Sequence, residues 1–324
     1  MITIDTLTHI YPGSRKTPAR AAISALSLDI KDGEFVILSG PNGSGKSTLF
    51  RILCGLALPS SGSVRVGGFD LFAQPAKVRE IMGVVFQSPA VDKHLSVGEN
   101  LAIHADLYGL RGAAFTASRD EAVGWTDLGD RLDQKVETLS GGLARQVELA
   151  KVLMTNPRIL LLDEPTTGLD PVSRRNFLAA LHKLQKQRGM TVLMTSHVFS
   201  EADDVDRVAI MREGKLLAFD TPQALKAMIG TEMVVIHAKD TEGLAGRLRA
   251  DMGLAVRVIG DEVRLEETEN GESLPLLERI LNRYRPDILT ISIKQPGLDD
   301  VFVHVTSKAV PDHALTLDLK RTGT

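Results

Sequence analysis

Hydrophobic and polar positions divide this chain into short blocks, and the blocks change character near residue 230. Residues 2–11 and 25–38 alternate apolar and polar side chains in places, which predicts strands of an N-terminal sheet. Between them lies YPGSRKTPARAA (11–22), rich in Pro, Gly, Arg and Lys, and this predicts a loop. Four short apolar runs, at 35–38, 81–86, 159–162 and 191–194, read as buried strands. Helical patterns separate them. Leu49, Phe50, Ile52 and Leu53 suit a helix after the first run. Residues 96–135 place Val97, Leu101, Ile103, Ala105, Leu107 and Tyr108 on helical faces with no β-like alternation, so an all-helical insertion is expected there. Residues 139–154 carry another helical apolar face, with Val147, Ala150, Leu153 and Met154, and Asn156-Pro157 ends it. A helix is expected from about 173 to 187, an acidic helix over 198–206, and a hairpin around Glu213-Gly214.

Beyond 231 the order becomes strand (233–238), helix (242–251), strand (254–259), a Gly260-Asp261 turn, strand (262–266), helix (273–283) and strand (288–293). This βαββαβ sequence is the split βαβ order of ferredoxin-like domains. The pattern therefore predicts an α/β domain over 1–230, with its helical part at about 88–157, an accessory α+β domain over 231–306 and a polar tail at 307–324.

Composition narrows the class. The chain has 324 residues, 43% of them hydrophobic and 24% charged, which suits a soluble globular protein with large cores. Its net charge of −3 gives no global basic field, so nucleic acid is not an expected partner. The single cysteine, Cys54, allows no intrachain disulfide and fits a reducing compartment, with its side chain read as a small core group. MITIDTLTHI lacks the basic-then-apolar pattern of a signal peptide. No apolar stretch approaches the ~18 residues a spanning helix needs. Work at a membrane would require a partner that spans it.

The chemistry concentrates where apolar runs end. Residues 40–48, GPNGSGKST, lie between the strand-like 35–38 and the helix-like 49–53, which is the setting that G-x-x-x-x-G-K-[ST] requires. Gly43 and Gly45 let the backbone wrap closely. The segment through Gly40, Pro41, Asn42 and Ser44 would then turn consecutive N–H groups into one concavity at a helix N-terminus, suited to a polyphosphate. Lys46 can reach the β- and γ-phosphates, the Ser47 hydroxyl can ligate Mg²⁺, and Thr48 completes the segment. The run 159–162 delivers Asp163 and Glu164 at its end. Adjacent carboxylates there suggest divided labour, with Asp163 on Mg²⁺ and Glu164 polarising the attacking water. Gln87 follows the run 81–86, and His197 follows 191–194. Taken singly, Gln87 reads as a polar loop residue and His197 as a structural histidine. Ser140 is a good N-cap, and Gly141 and Gly142 leave a helix N-terminus bare of side chains, open to an anion. Tyr11, at the end of the first strand, is a surface aromatic or a platform for an adenine ring.

Together these residues resemble the ATP-binding subunits of ABC transporters, over about residues 2–230. In that resemblance 40–48 is Walker A, 159–164 Walker B and 139–143 (LSGGL) the signature, with Leu143 where many members have Gln. Gln87 matches the Q-loop, 168–170 the D-loop, His197 the switch histidine and Tyr11 the adenine-stacking aromatic. The resemblance implies a P-loop NTPase fold: a RecA-like core with an antiparallel β-subdomain and a helical signature subdomain. It implies ATP and Mg²⁺ as cofactors, with Ser47, Gln87 and Asp163 toward the metal and Glu164, His197, Lys46 and Gln87 as catalytic groups. Ser140, Gly141 and Gly142 would serve the γ-phosphate of a second subunit in trans, with Asp170 linking the two sites. A homodimer bound to a separate membrane permease on the cytoplasmic face is expected. Residues 296–306, PGLDDVFVHVT, resemble the ending of drug- and polyketide-exporter ATPases, which makes an exporter the leading expectation. An importer ATPase and a non-transport ABC ATPase remain the alternatives.

Overall fold

The computed structural model describes residues 1–13, 18–230, 232–265 and 273–308. The expected tail lies outside the described residues from 309 onward. The chain divides into two compact units, Met1–Phe219 and Asp220–Thr324.

The first unit contains two sheets. Strands β1 (Ile2–Tyr11) and β2 (Arg20–Ile30) pair antiparallel, and β1 also pairs with β4 (Ser61–Val66), which pairs with the short β5 (Phe69–Asp70). Strand β2 starts at Arg20, earlier than the 25 expected from alternation alone. Register shifts in its pairing with β1 interrupt the period of two, which hides the first half of the strand from pattern reading.

The second sheet is built from the apolar runs. Its strands are β3 (Phe35–Ser39), β6 (Met82–Val85), β7 (Ile159–Asp163), β8 (Thr191–Ser196), β9 (Arg207–Arg212) and β10 (Lys215–Asp220), in the order β10-β9-β3-β8-β7-β6. Every pairing from β9 through β6 is parallel. Strands β3 and β8 are buried at every residue, as expected for strands covered on both faces. Between the sheets lies α1 (Lys46–Leu53), whose Leu49, Phe50, Ile52 and Leu53 share one core cluster with Ile4, Leu28 and Val64 of the first sheet and Leu161 and Leu193 of the second.

Helix α2 (Pro75–Ile81) leads into β6, and a helical stretch then separates β6 from β7. It comprises α3 (Val97–Leu107), α4 (Gly112–Val123) and α5 (Gly141–Leu153). A full capping box starts α3, with Ser96 and Glu99 exchanging hydrogen bonds with each other's backbone. The expected helical block breaks at Gly109, which has φ +71. Helix α6 (Pro171–Arg188) precedes β8 and ends at Gly189 in the left-handed region. The acidic helix expected over 198–206 is only a 3-10 turn at Phe199–Ala202. The last acid of that segment is drawn elsewhere. Asp206 Oδ2 accepts the Phe35 N–H at 2.8 Å and anchors the start of β3.

The second unit opens with α7 (Pro222–Ala227), followed by β11 (Met233–Ala238), α8 (Thr241–Met252), β12 (Val256–Ile259), β13 (Glu262–Leu265), α9 (Ser273–Tyr284), β14 (Ile288–Lys294) and α10 (Leu298–Lys308). Its sheet has the order β12-β13-β11-β14, antiparallel throughout, which is the split βαβ arrangement. Val234, Ile236, Leu244, Leu248, Ile280 and Tyr284 fill its core. The unit begins at Asp220 rather than at the 231 expected, because α7 packs with α10 of the same unit.

Candidate active site

The parallel sheet gathers the chemistry by register. Ser39 of β3 lies beside Ser196 of β8, Thr195 of β8 beside Asp163 of β7, and Leu162 of β7 beside Val85 of β6. The segments leaving these strands therefore emerge together at the carboxyl edge of the sheet, where open α/β folds bind ligands.

The loop leaving β3 is fixed by close backbone approach. Gly40 has φ +152, and a Cβ there would sit 2.2 Å from the Met211 carbonyl oxygen. Gly45 has φ +106, and a Cβ there would meet the Ala22 carbonyl at 2.5 Å. Gly45 also serves as N-cap of α1 without any side-chain cap, so the helix start faces the loop with backbone alone. Lys46 is 5% exposed, and its Nζ donates to the Gly40 carbonyl at 2.6 Å and the Pro41 carbonyl at 3.2 Å. Burial pushes its pKa below the usual lysine value, while the Glu164 and Asp163 carboxylates pull it back up. Ser44 Oγ is buried without a partner among the described residues. The cavity over this loop is lined by Tyr11, Arg20, Ala22, residues 42–48 and Glu164. Tyr11 OH lies 3.2 Å from Thr48 Oγ1, which places the expected adenine platform on the wall of that cavity.

Glu164 is the centre of the polar constellation. Its Oε2 accepts from Gln87 Nε2 at 3.1 Å and from Thr167 Oγ1 at 3.3 Å, and lies 3.3 Å from His197 Nδ1. Its φ of +42 is uncommon for a residue other than glycine. The conformation is held from both sides. Thr195 Oγ1 accepts the Glu164 N–H at 2.9 Å and donates to Asp163 Oδ1 at 2.6 Å. One hydroxyl thus fixes both carboxylate residues. Asn42, Ser47, Gln87, Glu164 and His197 line a common cavity. Ser47 and Asp163 offer a hydroxyl and a carboxylate, hard oxygen ligands of the kind Mg²⁺ takes when substrate phosphates and water complete its shell. Among the described residues no cluster of three or more His, Cys, Asp or Glu could hold a metal alone, and such a shared site does not need one.

The glycine-rich helix start lies elsewhere. Ser140 caps α5, accepting the Leu143 N–H at 3.3 Å. Gly141 is exposed, whereas Gly142 is buried against α6, where a Cβ would sit 2.5 Å from Ser173 Oγ. Asp170 caps α6, accepting from the Val172 and Ser173 amides at 2.9 and 3.0 Å. Hydrogen bonds from Ser173, side chain first and then amide, hold the Asp170 carboxyl below the usual range. None of Ser140, Gly141, Gly142 or Asp170 lines either cavity around Lys46 and Glu164 among the described residues.

Sequence reading passed over several groups that shape this site. Thr195 left no motif signal, being one hydroxyl inside an apolar strand. Glu201 is 4% exposed and accepts from Thr166 Oγ1 at 2.7 Å and Ser196 Oγ at 2.6 Å, joining the segments after β7 and β8. Arg145 and Glu148 form a buried ion pair on α5 at 2.5 Å. A charged pair at i,i+3 inside an apolar helical pattern was the available cue for them.

A glycine loop and lysine at one strand end, with an Asp-Glu pair, a glutamine and a histidine at neighbouring strand ends, define a P-loop nucleoside triphosphatase. The ABC transporter family profile matches residues 23–167. The chain is 32% identical over 316 residues to the daunorubicin/doxorubicin resistance ATP-binding protein DrrA of Streptomyces peucetius, covering 95% of this chain and 93% of that one. It is 33% identical to the Nod factor export ATP-binding protein I of Burkholderia orbicola, covering 90% and 94%. A dimeric post-hydrolysis structure of the ATP-binding cassette MJ0796 with ADP and Pi superposes with a TM-score of 0.60 at 28% identity, over 68% of this chain and 98% of that one. This chain belongs to the ATP-binding subunits of ABC transporters, and it is an ATPase.

Proposed function

We propose that two copies of this chain close around MgATP and that hydrolysis drives a separate membrane permease, most directly an exporter of drug-like, lipid-like or other small molecules. The observation that carries the reading is the convergence of Gln87, Thr167 and His197 on one oxygen of Glu164, at the sheet edge that also holds Lys46. Lys46 and the loop amides bind the β- and γ-phosphates. Glu164 takes a proton from water as its oxygen attacks the γ-phosphorus, and the bond to the β,γ-bridging oxygen breaks to leave ADP. His197 donates to a γ-phosphate oxygen, and Gln87 ties the attacking side to the loop it opens. Tyr11 stacks the adenine. Ser47 and Asp163, with Gln87, would hold Mg²⁺, and the ion would supply positive charge to neutralise the phosphates. Ser140, Gly141 and Gly142, absent from the cavity of their own chain, complete the site of the partner copy, with Asp170 at the seam.

Export is favoured by the names of the full-length relatives, which specify drug resistance and Nod factor export. A membrane partner is favoured by a groove between β6 and the helical stretch, lined by Phe86, His104, Leu107, Tyr108, Glu148 and Lys151. Phe86, Leu107 and Tyr108 are 40%, 78% and 60% exposed, an apolar patch that suits a permease segment on the cytoplasmic face. No described helix is long and apolar enough to cross a membrane, and the proposal places the spanning segments in that separate chain. Affinity purification of the tagged chain from its native membranes in mild detergent tests this. The expected result is a co-purifying polytopic protein without its own ATPase domain, whose kind separates export from import. Recovery of soluble partners alone contradicts the proposal.

A further inference from the structure

Behind Glu164 runs a second set of polar contacts, built on a buried ion pair, that the reaction itself does not use. Arg145 and Glu148, both 3% exposed, pair on α5 through Nη1 and Oε2 at 2.5 Å. Arg145 Nε donates at 2.9 Å to the carbonyl of Pro165, the residue directly after Glu164. Glu148 Oε1 accepts the Ala90 N–H at 3.2 Å. Lys151 Nζ, one turn further along α5, donates to the Ala90 carbonyl. Ala90 lies three residues beyond Gln87, and Gln87 Nε2 closes the circuit on Glu164. The path Glu164, Pro165, Arg145, Glu148, Ala90, Gln87 is thus a ring of contacts returning to the carboxylate. Two of its members, Ala90 and Glu148, also line the groove beside Tyr108.

Burying two charges carries a desolvation cost that well-packed apolar residues avoid. Burial does push the Glu148 carboxyl upward and the Arg145 guanidinium downward, each opposed by the charge of the other. An apolar pair would fill the same space on α5. It would leave the Pro165 carbonyl and the Ala90 amide without these partners, and those two backbone groups belong to the segments that carry Glu164 and Gln87.

We propose that Arg145 and Glu148 are positioning residues for hydrolysis. They clamp the turn that holds Glu164 and couple it through Ala90 to the Gln87 segment and the groove. Motion of the groove segment is then felt at Glu164, and ATP at Glu164 is felt at the groove. This rests on the reading of Glu164 as the base.

The test uses the full chain with Arg145→Met and Glu148→Met combined, because either change alone strands a buried charge. The expected result is at least a tenfold fall in turnover at saturating ATP, with affinity for a fluorescent ATP analogue within twofold of wild type. Hydrogen exchange gives a readout independent of turnover. ATP should alter amide protection over residues 87–92 in wild type and leave it unaltered in the double variant. Unchanged turnover, a parallel loss of nucleotide affinity, or an ATP response of 87–92 surviving in the double variant overturns the proposal. Glu164→Gln assayed alongside separates the two ideas. Normal turnover there removes the base assignment, whereas the exchange experiment judges the clamp.

Discussion

The two units treat buried polarity in opposite ways. In Met1–Phe219, one group of buried polar side chains lies where parallel strands end: Ser39 closing β3, Lys46 at the start of α1, Thr195 and Ser196 closing β8, and Glu201 just beyond. In the second unit the core cluster around Val234, Leu244 and Ile280 is apolar apart from the Tyr284 hydroxyl, which reaches Asp251 at 2.7 Å. Its buried polar groups are Ser273 at the start of α9 and Asp300, His304 and Thr306 on α10. Asp300 shows what such a group does there. It pairs with Arg264 of β13, lies 3.7 Å from Lys294 of β14, and accepts the Gly297 N–H at 2.8 Å. Polar burial is costly unless partnered. In the first unit it arms a site at the strand ends and also runs along the helical stretch, at Asn100, Arg145, Gln146 and Glu148. In the second it fastens a helix to a sheet.

That contrast can be broken from either side. The largest effect is expected from Glu164→Gln, which keeps the shape and the hydrogen bonding but removes the proton acceptor. Turnover should fall by about 10³-fold with ATP affinity nearly unchanged. Single-turnover hydrolysis beside equilibrium binding checks this, and wild-type turnover would remove Glu164 from the base role. Next is Asp300→Ala, which takes one of two carboxylate partners from Arg264, leaving Glu262, and removes the acceptor of the Gly297 N–H; it should destabilise the second unit by about 1–3 kcal/mol. Denaturant unfolding should show that loss while basal ATP hydrolysis stays within twofold of wild type. A parallel collapse of hydrolysis would mean that the fastening also serves the site.

Gly142→Ala asks which kind of feature the signature glycine is. The added methyl meets Ser173 and should cost about 1–3 kcal/mol by overpacking. Adding Ser173→Gly relieves the clash but gives up the Ser173–Asp170 hydrogen bond, so it should recover part of the melting temperature without recovering hydrolysis, since in the proposed trans arrangement the glycine also admits a phosphate. Recovery of both would make it a packing residue alone. The smallest effect concerns His104 in the groove, whose pKa is pushed down to about 4, chiefly by burial and then by Lys151. Between about 4 and 6.5 the unfolded chain binds the proton and the folded chain does not, so stability rises with pH through that window. The contribution is about 1–2 kcal/mol once the partial exposure of the ring is allowed for. Thermal melts of wild type and His104→Gln across that window should differ in slope, and equal slopes would contradict it.

Legibility followed the same division. The loop at 40–48 and the Asp163-Glu164 pair stood out because each follows a run of apolar residues long enough to be a buried strand, whereas Gln87 and His197, which taken singly read as a loop residue and a structural histidine, were picked out only by the family resemblance; parallel register brings all four strand ends together. The second unit was readable as βαββαβ because its elements are regular and its core has one period per element. Three things escaped. The first half of β2 is hidden by register shifts against β1. The segment 198–206 has helical composition, but Asp206 is drawn into the start of β3. Thr195, Arg145, Glu148 and Glu201 act through contacts between segments far apart in sequence, which spacing along one segment does not reveal.

The central claim is that each ATP is hydrolysed between the loop of one copy and the signature of another. Lys46→Ala and Ser140→Arg should each abolish hydrolysis when present in every chain. Mixed after purification, the two inactive variants should regain about a quarter of wild-type turnover, since half of randomly assorted dimers hold one intact composite site. A mixture as inactive as its components would show that loop and signature serve the same chain, and the account would fail.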